Sequence, residues 1–128
     1  MAFTPLLEAL ATGDPFRLFG DGSFSRSFTF VADAVAGTIA AMERGGSGEL
    51  YNVGGGEEAT MSEAIALAEE IAGRGLVLER HAPAVGDVRR TRADVSKAAA
   101  ALGWAPTTSL ADGLRSQWSW VAGRVAAP

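Results

Sequence analysis

The chain has 128 residues, no cysteine, one histidine and a formal net charge of −4, with 48% hydrophobic and 20% charged residues. That composition fits one globular domain over residues 1–128, able to bury about two-thirds of its unfolded surface. It excludes disulfides and thiolate metal centres and offers no basic face for nucleic acid. No apolar run approaches the roughly 20 residues of a membrane span. With no secretory leader at its start, the chain is expected to be soluble and cytoplasmic.

Thr4-Pro5 predicts a helix start, because Thr can cap and Pro fits the first helical position. Leu6, Leu7 and Leu10 follow as an apolar stripe, which Gly13-Asp14-Pro15 ends. Phe16 to Phe19 reads as a short strand closed by the turn Gly20-Asp21-Gly22. In the next segment Phe24, Arg26, Phe28 and Phe30 share one parity, while Ser23, Ser25, Ser27 and Thr29 share the other. Period two predicts a strand with one apolar face. Arg26 stands on that face, either snorkelling to water from the strand end or aiming its planar fork at an anion.

A small-residue helix is expected over Ala32 to Arg44, with Val35, Ile39 and Met42 on one side and Gly45-Gly46 at its end. Leu50 to Val53 reads as a strand. Thr60 and Glu63 form a capping box for a helix running to about Ala72, with Ile65, Ala68 and Ile71 inward. Leu76 to Leu78 reads as another strand. The stretch from Glu79 to Ala93 is too polar for a core and reads as a connection. His81, within it, reads as a surface residue at a strand end, with catalysis as the alternative. Asp94 caps a helix from Val95 to about Leu102, and Ser109 with Asp112 opens a last helix lined by Leu110, Leu114, Trp118 and Val121. Alternating strands and helices make the chain α/β (mixed).

Gly54, Gly56 and Ala59 formally satisfy the glycine fingerprint of a dinucleotide loop, with Glu79 about 20 residues on as a ribose acid. Two features argue against it. Glu57 and Glu58 would face the pyrophosphate with like charge, and Thr60 with Glu63 already serves the helix N-terminus that would bind it.

Four segments, SRSFTFVADAV, GELYNVGGGE, GDVRRTRADVSKAAAALGWAP and SLADGLRSQWSW, occur together in one order. Their order and spacing resemble the C-terminal part of the extended short-chain dehydrogenase/reductases, the NAD-dependent nucleotide-sugar epimerases and dehydratases. The resemblance runs from about Phe3 to Val121. It implies a substrate-binding region lacking the Rossmann half, whose Tyr-x-x-x-Lys pair removes a hydroxyl proton while nicotinamide takes hydride. The only tyrosine here, Tyr51, and the only lysine, Lys97, are in the wrong order for that pair. The resemblance therefore implies a fragment with no catalytic residue and no cofactor bound by this chain alone, NAD belonging to the full-length parent.

By the same resemblance Arg26 matches an arginine on the sugar-nucleotide diphosphate, although Ser27 and Phe30 replace the usual Asp and Tyr. Arg17 and Phe19 match the strand along the nucleotide base. The family's Arg-x-Gly-Asp reads Ala84-Val85-Gly86-Asp87, which keeps the ribose-binding Asp87 and loses the arginine. Arg89, Arg90 and Arg92 read first as solvated loop charges, with replacement of that arginine as the alternative. The Gly54–Gly56 segment becomes a strand end that joins the Rossmann sheet. Lys97 is expected at the surface, Trp104 and Trp118 in packing. The partner expected is a nucleotide sugar. The alternative reading is a non-catalytic assembly module, a homo-oligomer formed through the surface a Rossmann half would cover.

Overall fold

In the computed structural model, which describes residues 3–125, helix α1 (Phe3–Thr12) buries Leu6, Leu7 and Leu10 completely or nearly so. The helix includes Phe3, so Thr4 lies inside it and is not its cap; its hydroxyl instead accepts from Gln117 Nε2 at 3.0 Å. Strand β1 (Phe16–Phe19) turns Phe16 and Leu18 to the core and Arg17 and Phe19 outward, as strand alternation requires. It pairs in parallel with β4 (Leu78–His81). The ladder at β4 lies two residues beyond the apolar run Leu76–Leu78, because the partner backbone, not hydropathy, sets where pairing begins.

A second sheet has the order β3-β2-β5, from β3 (Glu58–Thr60), β2 (Ser25–Ser27) and β5 (Arg90–Thr91). Strand β2 runs antiparallel to β3 and parallel to β5. The expected strand from Ser23 through Phe30 is thus only three residues long, since Phe30 already stands at the N-cap of α2 (Val31–Arg44). The parity argument survives in Phe28, whose ring packs 4.6 Å from that of Phe3 against the core.

Helix α3 (Met61–Ala72) opens with the expected capping box: Glu63 N–H donates to Thr60 Oγ1 at 3.2 Å, and Thr60 N–H donates to Glu63 Oε2 at 2.7 Å. Helix α4 (Ser96–Leu102) begins one residue after its expected start, and Asp94 still accepts from Ser96 N–H at 2.9 Å. Helix α5 (Leu110–Val125) packs on α1 and α3. Ser109 Oγ accepts from Asp112 N–H, but the shorter Asp carboxylate takes the Ser109 hydroxyl rather than completing a box.

The main core joins α1, α3, α5 and β1 through Leu6, Leu10, Leu18, Ile65, Leu114 and Val121, with Trp118 packed against it. A smaller cluster holds Ala40, Ala98, Leu102 and Trp104 between α2 and α4. Val35, Ile39 and Met42 do share one side of α2, an exposed one, while the helix buries Asp33, Gly37 and Ala40. One expectation fails here. Leu50–Val53 joins no ladder among the described residues, because no strand stands beside it. Among those residues no helix is long and apolar enough to cross a membrane, and no acidic or imidazole cluster is arranged to hold a metal.

Candidate functional site

The loop from Ala82 to Arg89 leaves β4 and enters β5, so it ties the two sheets together. Its turn at Gly86, where φ is +83°, is closed by Asp87 N–H donating to Ala84 O at 3.2 Å. This turn delivers Asp87 to Arg26. Arg26 Nη2 donates to Asp87 Oδ1 at 2.5 Å, across 61 positions of sequence, and Nη1 donates to Ser25 O at 2.7 Å. The Arg26 side chain is 26% exposed, so its head is neither snorkelling freely nor sealed in the core. It lies beside a carboxylate at the sheet surface.

The opposite face of β2 carries a different pair. Arg90 donates from Nε and Nη2 to both oxygens of Glu58, at 2.7 and 2.8 Å, and Ser25 Oγ donates to Glu58 Oε1 at 2.9 Å. The Arg90 and Ser25 hydrogen bonds hold the Glu58 carboxyl below the usual carboxylate range. This bidentate clamp pins β5 to β3 across β2. Sequence reasoning did not find it, because its members lie 32 positions apart and carry no shared motif.

Arg17 and Phe19 stand together on the outward face of β1, neither bonding to the Arg26–Asp87 pair. Their parallel register partners are Glu79 and His81. Arg17 Nε lies 3.6 Å from Glu79 Oε2, and the Phe19 and His81 rings stack with centroids 5.3 Å apart. His81 Nε2 is buried without a well-aligned hydrogen bond, although Glu79 Oε1 is 3.1 Å away. His81 therefore belongs to an aromatic and charged patch rather than to open solvent.

The glycines of Gly54–Gly56 serve packing. A Cβ on Gly56 would fall 1.9 Å from Phe28 O, and one on Gly55 would fall 3.0 Å from Ala93 O. Gly56 N–H donates to Thr29 Oγ1, Glu57 Oε2 accepts the Leu110 N–H at the start of α5, and Glu58 holds Arg90. The Gly56 donor and the space beside Gly55 and Gly56 are taken, so these residues do not fit a dinucleotide cradle.

Tyr51 and Lys97, distant in sequence, do meet. Lys97 Nζ lies 5.2 Å from the Tyr51 ring centroid, is held by Glu49 at 2.5 Å, and Tyr51 Oη accepts from Gly46 N–H. An ammonium over the ring face, remote from the hydroxyl's partner, is a surface cation–π contact and not a proton-abstracting pair. A separate apolar groove of about 650 Å³ lies between the β2–α2 junction and α5, lined in part by Phe3, Phe28, Phe30, Leu114 and Trp120. None of Arg17, Phe19, Arg26 and Asp87 lines it.

As a mixed α/β region of two small sheets, the chain matches the C-terminal part of extended short-chain dehydrogenase/reductases. The profile of the GDP-mannose 4,6 dehydratase family matches residues 3–117, and the chain belongs to that NAD-dependent epimerase/dehydratase family. It is 37% identical over 122 residues to an uncharacterised UDP-glucose epimerase of Bacillus subtilis, covering 94% of this chain and 39% of that protein. It is 38% identical to a UDP-glucose 4-epimerase of Mycolicibacterium smegmatis, covering 84% of this chain and 34% of the other. Among solved structures, UDP-glucuronic acid 4-epimerase from Bacillus cereus, in complex with UDP-glucuronic acid and NAD, superposes with a TM-score of 0.91 at 35% identity. That match covers 97% of this chain and 40% of that one. The chain thus spans between a third and two-fifths of the length of these relatives.

Proposed function

We propose that residues 1–128 form one domain, the nucleotide-sugar-binding portion of an NAD-dependent epimerase/dehydratase, acting in the cytoplasm and not catalytic alone. The Arg26–Asp87 pair carries this reading. Two residues expected on the diphosphate and the ribose, 61 positions apart, come together at one sheet surface. Arg26 supplies a planar fork for phosphate oxygens, Asp87 accepts from ribose hydroxyls, and Arg17 with Phe19 offers an exposed edge for the base. Dinucleotide binding and proton abstraction fall outside these residues, and NAD belongs to the longer protein. Isothermal titration of the 128-residue chain with UDP tests the reading. Binding is expected in the millimolar range or tighter, and Arg26→Ala should weaken it by about tenfold or more, the loss of one charge-assisted contact. Absence of heat at millimolar UDP would sink it.

One observation favours a second reading, a homo-oligomeric assembly module. Val31, Val35, Ile39 and Met42 form an exposed apolar row along α2, and the segment Leu50–Val53 joins no ladder among the described residues. An exposed apolar helix face and unpaired extended backbone each suit a contact with another sheet or a second copy of this chain. Light scattering distinguishes the two states, and a strictly monomeric mass counts against this reading.

A further inference from the structure

Strand β5 and the loop before it have no apolar anchor. Every residue from Ala82 to Arg92 is exposed, Val85 and Val88 among them. The ladder to β2 is two residue pairs long, Ser25 with Arg90 and Arg26 with Thr91, and β5 stands at the sheet edge. Without hydrophobic burial, a strand of that length opens easily by itself. Side chains supply the missing hold, and they do so on both faces of β2. Asp87 reaches Arg26 on one face, and Arg90 reaches Glu58 on the other.

Register explains the second contact. Glu58 stands opposite Ser27, and Arg90 stands opposite Ser25. The two serines share one face of β2, and Glu58 and Arg90 meet across the strand on that face through parallel bonds of 2.7 and 2.8 Å. Ser25 Oγ adds a third donor to the same carboxylate. A lone surface ion pair contributes little, but a bidentate pair with a further donor on its carboxylate is fixed in geometry.

An anion acts differently on the two contacts. Under the nucleotide-sugar reading, on which this inference rests for its ligand, phosphate oxygens compete with Asp87 for the Arg26 fork. Nothing on the Glu58 face is exchanged. We propose that Glu58 is a positioning residue. Through Arg90 it latches β5 to the sheet, and so keeps the Ala82–Arg89 loop and Asp87 docked when Arg26 yields its aspartate to a ligand.

Trypsin reads the latch without any ligand. Arg89, Arg90 and Arg92 are cleavage sites in or beside β5, whereas Arg80 lies in β4, outside it. Cleavage follows the population of the opened segment. In the 128-residue chain, Glu58→Gln keeps every site, and Arg90→Gln breaks the latch from its other side while keeping Arg89 and Arg92. Both variants should be cut about fivefold faster or more at the remaining β5 sites, with the Arg80 rate and the melting temperature close to wild type. Wild-type cleavage in both variants overturns the latch. Equal acceleration at Arg80 also overturns it, since that outcome reports loosening of the whole fold. Titration with UDP reads the positioning role. E58Q should weaken UDP by about fivefold or more, but by less than about twofold in an Asp87→Ala background, because a residue acting through Asp87 then has nothing left to place. Equal weakening in both backgrounds overturns the positioning of Asp87. If the wild-type chain does not bind UDP while E58Q is cut faster at β5 alone, the nucleotide-sugar reading falls and the latch stands.

Discussion

Gly37 sits where α2 crosses Trp104, and a Cβ there would come within 2.7 Å of Val53 Cγ1 and 2.8 Å of the Trp104 ring. The glycine is a packing requirement, not a conformational one. Gly123, in α5, has nothing within 4 Å of the same added atom. The two positions therefore predict opposite signs. Gly37→Ala should lower stability by about 1–3 kcal/mol, since overpacking outweighs the roughly 1 kcal/mol of helix propensity gained. Gly123→Ala should raise it by about 0.5–1 kcal/mol. Urea denaturation of both variants checks the pair, and a stabilised Gly37→Ala would mean that Trp104 shifts without cost. The same scale shows how much of the candidate site was legible. Period two placed Arg26 on a face, and motif order placed Asp87 in a loop, but neither gave the ion pair between them. Nor did any pattern reveal the Glu58–Arg90 clamp, because partners across a ladder are set by register, which hydropathy does not encode.

The helices were read nearly to their ends because their signals are local: Thr60 with Glu63, Gly73 and Gly103 as left-handed caps, and leucines at helical spacing. Strands were read less well, because a strand exists only where another lies beside it. Leu50–Val53 has the apolar character of a strand, but only Tyr51 and Val53 pack on the small cluster, Leu50 is exposed, and the backbone pairs with nothing described. Helix α2 shows the same incompleteness from the other side, with its apolar row facing outward. That row carries an element-scale prediction. Val35→Lys with Ile39→Lys should leave the helical signal and melting temperature close to wild type, because both side chains are already exposed. It should shift any oligomer toward monomer in sedimentation velocity. An unchanged assembly would move the contact off α2, whereas a collapsed melting temperature would show that the row packs internally.

At the scale of the whole molecule, two small cores are joined by polar contacts whose carboxylates are held ionised. Asp33 is the buried case. It lies at the start of α2, is 8% exposed, and accepts from Thr108 N–H at 2.9 Å and Thr107 Oγ1 at 3.2 Å, while its carbonyl accepts from Trp104 Nε1 at 3.0 Å. It thus fastens α2 to the segment entering α5. Burial works to raise its pKa, but the hydrogen bonds from Thr108 and Thr107 together outweigh it and hold the carboxyl below its ordinary value. Hydrogen bonds likewise lower Glu58, Glu63, Asp94 and Asp112. A carboxylate with a lowered folded pKa contributes stability above its unfolded pKa, near 4, and that contribution fades as pH falls through the lower folded value. Urea midpoints should therefore stay level from about pH 8 to about pH 5 and fall steeply below about pH 4. Asp33→Asn should cost about 1–3 kcal/mol at pH 7, since an amide gives Thr108 and Thr107 one acceptor fewer. Its acid limb should be shallower, because one of the carboxylates that must be protonated is gone, so the two curves converge toward low pH. Parallel curves would transfer the acid sensitivity to the surface carboxylates and leave Asp33 a packing role alone.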